Sequence, residues 1–153
     1  MSIVKDFRFP VSVQLVRGRE TVASAPGKDE LAIATPLEFH GGVAGVWSPE
    51  DLLVASAASC YAVTLAAIAE RAEVPLRSVD VSGAGHVTRR DDGKFGFVAI
   101  ELDVRFETDP ELVGAAERAA KRAKELCIVS MALDVPVRVG IDVRASAPEG
   151  AIR

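Results

Sequence analysis

The chain opens on a two-residue alternation, with Val11, Val13 and Leu15 on one face and Ser12, Gln14 and Val16 on the other, which predicts a strand. Arg17-Gly18-Arg19 supplies a turn, residues 20–25 a return strand, Pro26-Gly27-Lys28-Asp29 a second turn, and residues 31–35 a third short strand. A glycine-rich approach over residues 41–45 then gives way to a helix. Ser48 suits its N-cap, Pro49 its first position, and Glu50 and Asp51 place negative charge at the positive end of the dipole. This helix should run to about Ala72, since Pro75 cannot continue it. Residues 78–90 alternate again, with Gly83 and Gly85 predicting a bulge or a close approach. Asp91-Asp92-Gly93 turns the chain into a return strand over residues 95–106, where Val98, Ile100, Leu102, Val104 and Phe106 share one face. Asp109, Pro110 and Glu111 repeat the helix-start signal, residues 127–133 read as a short extra helix, and residues 137–143 as a final strand. The tail from Ser146 on reads as frayed. The order predicts one α+β domain over residues 1–153, with antiparallel sheet and helices packed on one side.

Residues 52–69 carry no charge, a length at which a membrane span becomes arguable. The run is rich in Ala and Ser, is bracketed by Asp51 and Glu70, and has no basic cluster to orient it, so it reads as a buried central helix and no membrane partner is expected. With 153 residues, 49% of them hydrophobic, and a net charge of -4, the chain has the composition of a soluble globular domain and no electrostatic footprint for nucleic acid. The opening residues lack a basic region followed by an apolar run, which makes a cytoplasmic location the expectation.

Two cysteines are too few for a secreted disulfide scaffold, and they form no CxxC pair. Cys60 lies in mid-helix among small residues, with Ser56 and Thr64 one turn away on either side. Its plain reading is a packed small hydrophobe, and a nucleophilic role requires something to stabilise the thiolate. No cation stands one turn from it. Glu50 is ten positions away and Arg71 eleven, roughly 15 Å along a straight helix. An activating charge must therefore come from elsewhere, with Arg17 and Arg19 at the first hairpin as candidates. Cys127 follows a basic stretch, Lys121, Arg122 and Lys124, which favours a thiolate there more than at Cys60 unless those charges form the solvated face of a helix. Cys60, Cys127, His40 and His86 are zinc-ligand types without zinc-ligand spacing. No bound metal or cofactor is expected.

The stretch GVWSPEDLLVASAASCYAVTLAAIAE resembles the first cysteine motif of the OsmC/Ohr family, with Pro49-Glu50 opening a long helix and Cys60-Tyr61 ten positions beyond Glu50. The segment from Cys127 through Ser130 to Leu133 is similar to the family's second motif, although Ile128 stands where better-known branches carry Pro. The hairpin around Arg17-Gly18 is similar to the family's early turn.

The resemblance implies an OsmC-like fold in an intertwined homodimer, with each active site built between subunits. It implies a peroxidase of organic hydroperoxides in which Cys60 is the peroxidatic cysteine and Cys127 the resolving one. Arg17 would hold the thiolate, with Arg19 as the alternative from the same turn, and Glu50 would orient the arginine. The implied reductant is an external thiol or a lipoylated protein. A nucleophile on an apolar helix favours bulky apolar hydroperoxides over hydrogen peroxide. The competing readings are a non-catalytic protein of this fold that binds a small apolar ligand at the dimer interface, and a redox sensor.

Overall fold

The computed structural model describes residues 5–147, and the predicted fraying of the tail falls largely beyond them. Chain contacts divide the protein into two compact units, Met1–Leu52 and Leu53–Arg153.

In the first unit β1 (Ser12–Arg17), β2 (Glu20–Ser24) and β3 (Leu31–Ala34) form an antiparallel sheet in the order β1-β2-β3. Gly18 turns the first hairpin with φ +51, a conformation glycine adopts without a Cβ clash. Every residue of β1 is exposed, Val13, Leu15 and Val16 among them, whereas Ile33 and Ala34 of β3 are buried. Beyond β3 the chain folds back, so that the Ala34 amide donates to the Trp47 carbonyl at 2.9 Å. Gly42 lies so close to this turn that a Cβ there would stand 2.3 Å from the Pro36 carbonyl oxygen.

Helix α1 (Pro49–Arg71) starts as the sequence predicts. The Ser48 hydroxyl accepts from the Asp51 amide at 3.0 Å, and the Asp51 carboxylate accepts from both the Ser48 amide (2.9 Å) and hydroxyl (2.8 Å), a reciprocal cap at the N-terminus. At the other end Glu73 takes φ 55 and the Val74 amide reaches back to the Ala69 carbonyl at 2.9 Å, a left-handed stop that satisfies a terminal carbonyl.

In the second unit β4 (Arg77–Arg89) and β5 (Phe95–Thr108) form a long antiparallel hairpin. The final strand, β6 (Val137–Ala145), joins β5 in parallel, giving the order β4-β5-β6. This pairing departs from the antiparallel expectation for a physical reason. The chain leaves β5 through a 3-10 turn (Pro110–Leu112), α2 (Val113–Leu126) and α3 (Ile128–Ala132), a helical crossover long enough to bring it back in the same direction. Asp109 takes the predicted N-cap position with Pro110 after it, but its carboxylate makes no capping hydrogen bond and pairs instead with Arg77 at 2.7 Å. Ser146 is not frayed either, since its amide donates to the Thr108 carbonyl at 2.9 Å.

One core unites Tyr61, Leu65 and Ala69 of α1, Ile100, Leu102, Val104 and Phe106 of β5, and the alanine face Ala116, Ala119, Ala120 and Ala123 of α2. Complete burial of a side chain such as Leu65 contributes about 1.5–3 kcal/mol. By length and composition α1 would also cross a membrane, but its buried stripe belongs to this core while Val63 on another face is 65% exposed. Gly83 and Gly85 of β4 are the predicted close approach. A Cβ on Gly85 would stand 2.5 Å from the Phe97 ring and 2.8 Å from Val54, so these glycines let Val54 of α1 lie directly on β4.

Candidate active site

The second unit brings the two cysteines together. Cys60 is half-buried in the middle of α1, and Cys127, fully buried, stands at the N-cap position of the five-residue helix α3 with extended backbone angles, φ -68 and ψ 103, and no side-chain capping hydrogen bond. Both thiols are free. Burial by itself would raise the Cys60 thiol, but four donors reverse the sign: the Val129 amide, the Cys127 thiol, the Thr64 hydroxyl and the Ile128 amide hold it below its ordinary value. Hydrogen bonds to the ionised form favour that form. Thr64 reaches the sulfur because it stands one helical turn beyond Cys60 on the same face.

Cys127 has a different set of neighbours. The Ser130 hydroxyl donates to its sulfur at 3.2 Å, and the Ala57 carbonyl oxygen of α1 lies 4.0 Å from it. Tyr61, the residue after Cys60, donates its phenol to the Ala120 carbonyl of α2 at 2.8 Å. Burial, with Cys127 as a second cause, pushes this phenol up to about 12. Tyr61 thus ties α1 to α2, the helix that delivers Cys127.

Of the two parts open to the basic stretch, it plays that of a solvated helix face. Arg122 pairs with Glu125 at 2.6 Å in solvent, and Lys121 and Lys124 are exposed, because α2 turns its alanines inward. The thiol held low is Cys60, and the groups that lower it are uncharged dipoles. Sequence reading placed Thr64 one turn away without giving it a role, and passed over the Ile128 and Val129 amides. Its one available signal was Cys127 preceding a helical segment, which leaves that segment's first amides without partners inside the helix.

Arg17 and Glu50 belong to the first unit. Arg17 ends β1 with its side chain 80% exposed, pairing with Glu20 at 3.0 Å. Arg19 instead donates to the His40 carbonyl and packs over Gly41. Glu50 lies in the first turn of α1, with one carboxylate oxygen buried and without a hydrogen-bond partner among the described residues. His40 lies in the loop after β3 and His86 on β4, and among the described residues no three His, Cys, Asp or Glu side chains gather as metal ligands would.

A profile of the OsmC-like protein family matches residues 42–142. The chain belongs to this family. It is 25% identical over 115 residues to the uncharacterized protein YmaD of Bacillus subtilis, an alignment covering 72% of this chain and 75% of that one. Its fold is similar to an OsmC-like protein of unknown function from Vibrio cholerae, with a TM-score of 0.82 at 17% identity, covering 90% of this chain and all of the other. It is also similar to an organic hydroperoxide resistance protein OsmC from Legionella pneumophila, with a TM-score of 0.68 at 20% identity over 92% and 98% of the two chains. At these identities the two solved structures show the fold, which is the expected OsmC-like α+β arrangement. The OsmC-like family includes organic hydroperoxide resistance proteins.

Proposed function

We propose that this OsmC-like chain is a thiol peroxidase that reduces organic hydroperoxides through a two-cysteine cycle. The observation that carries the reading is a pair of neighbouring free thiols, with Cys60, the more accessible, held below its ordinary pKa by four donors. The Cys60 thiolate attacks the terminal oxygen of the hydroperoxide. The O–O bond breaks, the alkoxide leaves and is protonated to the alcohol, and Cys60 becomes a sulfenic acid. Cys127 then attacks that sulfur, forming the disulfide and releasing water. An external thiol or a lipoylated protein reduces the disulfide by exchange, so the cycle needs no bound cofactor. The cytoplasm, where thiols are kept reduced, is the matching compartment.

Arg17 is the cation proposed to hold the thiolate, and Glu50 the carboxylate that orients it. The exposed guanidinium of Arg17 and the unpartnered, buried carboxylate oxygen of Glu50 support these roles, because a buried polar atom left without a partner is costly. Arg19, which donates to the His40 carbonyl as Arg17 does to Glu20, is the alternative from the same turn. A homodimer is proposed as the working form, supported by β1, exposed along its whole length, and by exposed Val63 on α1. Ile128 and Met131, exposed at 66% and 61% on the helix that follows Cys127, favour a bulky apolar hydroperoxide over hydrogen peroxide.

The test is to add one equivalent of cumene hydroperoxide to the reduced protein and follow free thiols and intact mass. Loss of both thiols to an intrachain disulfide, with steady turnover under a dithiol, is the expected result. Survival of both thiols would discard the peroxidase reading, and a single oxidation without turnover would point to a redox sensor.

A further inference from the structure

Cys127 poses a chemical difficulty that Cys60 does not. Its side chain is fully buried, yet in the resolving step it must develop negative charge and lose its proton, and charge is poorly tolerated where water cannot reach it. The Ser130 hydroxyl donates directly to this sulfur at 3.2 Å. Ser130 is half-buried and borders a surface cleft of about 280 Å³ together with Lys124, Glu125, Met131 and Val137, so one hydroxyl lies between a buried sulfur and solvent. The Cys127 thiol in turn faces Cys60. The Cys127 thiol itself points its proton at the Ala57 carbonyl at 4.0 Å, so the Ser130 hydroxyl is the side chain that donates to this sulfur.

We propose that Ser130 is a positioning residue for the resolving step, acting on Cys127 rather than on substrate: it holds the buried sulfur toward Cys60 and stabilises the charge that grows there. The inference rests on the two-cysteine reading above. The step balances without another reactant. The Cys127 S–H and Cys60 S–OH bonds break, an S–S bond forms, and the released proton and hydroxide leave as water. Cys127 is oxidised, and the sulfenic sulfur of Cys60 is reduced to the disulfide level. Ser130 is neither consumed nor oxidised. Geometry suits it to this task, since it stands three residues beyond Cys127 in a helix whose N-cap position Cys127 holds, and residues three apart in a helix are neighbours.

The test separates the two halves of the cycle in the full-length protein. Reduced wild type, Ser130→Ala and Ser130→Thr are mixed with one equivalent of cumene hydroperoxide. Peroxide loss reports the first step, dimedone capture the sulfenic acid, and intact mass the disulfide. Ser130→Ala should consume peroxide at the wild-type rate, accumulate dimedone-reactive Cys60, and close the disulfide about tenfold more slowly, as expected for losing one hydrogen bond to a charged sulfur. Ser130→Thr, which keeps the hydroxyl, should restore closure. Closure by Ser130→Ala at the wild-type rate, equal slowing of both steps, or no rescue by threonine would each overturn the role. A wild type that forms no disulfide would instead discard the two-cysteine cycle and this inference with it.

Discussion

The two sulfurs are neighbours, Cys127 being one of the groups that hold the Cys60 thiol low, yet they differ in almost every other respect. Cys60 is half-buried in the middle of a 23-residue helix and receives four donors, three of them from the Cys127–Val129 segment. Cys127 is fully buried where two helices meet, and the side chain that donates to it is the Ser130 hydroxyl. Within the second unit, what distinguishes the candidate nucleophile is therefore neither a nearby charge nor the helix dipole, which is weak in mid-helix. It is the convergence of uncharged dipoles on a sulfur that remains reachable. Burial separates them further, since Cys60 is half-buried and Cys127 fully buried, and in the proposed cycle this leaves Cys60 as the sulfur that an external oxidant meets.

The largest expected effect comes from exchanging the sulfurs one at a time. Cys60→Ser should remove peroxide turnover, a loss on the order of a thousandfold or more, while Cys127→Ser should still consume one equivalent and leave a sulfenic acid that dimedone captures. Coupled peroxidase assays and intact mass decide the matter, and the reverse assignment would invert the comparison.

A smaller effect is expected from Ile128→Pro. Proline suits the first position of a helix, and the extended backbone of Cys127 already fits a residue preceding proline. The substitution should therefore delete one amide donor to Cys60 while sparing the helix. Because that donor lowers the thiol, its loss moves ionisation upward. Alkylation of Cys60 by iodoacetamide rises with pH as the thiolate forms, so the profile should shift to higher pH and the rate near neutrality should fall. Ile128→Val, which keeps the amide, should match wild type. An unshifted profile in the proline variant would show that the Val129 amide and the two side chains suffice.

Much of the frame is legible in the sequence because it rests on local rules. The Ser48-Pro49 start of α1, the Asp91–Gly93 turn and the inward face of β5 follow from capping, turn chemistry and alternation. Residues 127–133 are marked as a short helix by the same means. The site is less legible, since its chemistry depends on contacts between segments distant along the chain. The basic stretch beside Cys127 is open in sequence to two readings, a charge acting on the thiol or the solvated face of a helix, and α2 decides for the second by turning its alanines inward and its cations to water. The free amides at the start of the short helix are announced only by its position after Cys127, and that Ile128 and Val129 serve Cys60 emerges only when α3 meets α1. The parallel pairing of β6 is hidden for a similar reason, as a single crossover looks the same in sequence whichever way the last strand runs.

The smallest effect tests whether Tyr61 belongs to the reacting pair or to the frame that holds it. Its phenol donates to the Ala120 carbonyl at 2.8 Å and is pushed up to about 12 by burial and by Cys127. The folded protein therefore keeps this phenol neutral over a range in which the unfolded chain, ionising near 10, has lost its proton. That sign makes the contribution fully present below about pH 10 and lost as pH climbs from 10 to 12. Tyr61→Phe should cost about 1 kcal/mol at neutral pH and flatten the alkaline decline, both readable by urea unfolding at pH 7 and across pH 9.5 to 11.5. Alkylation of Cys60 should change by less than about twofold, because Tyr61 is absent from the donors that lower that thiol. A larger fall would mean that the clamp between α1 and α2 sets the contact between the two sulfurs, and Tyr61 would then have to be counted within the site.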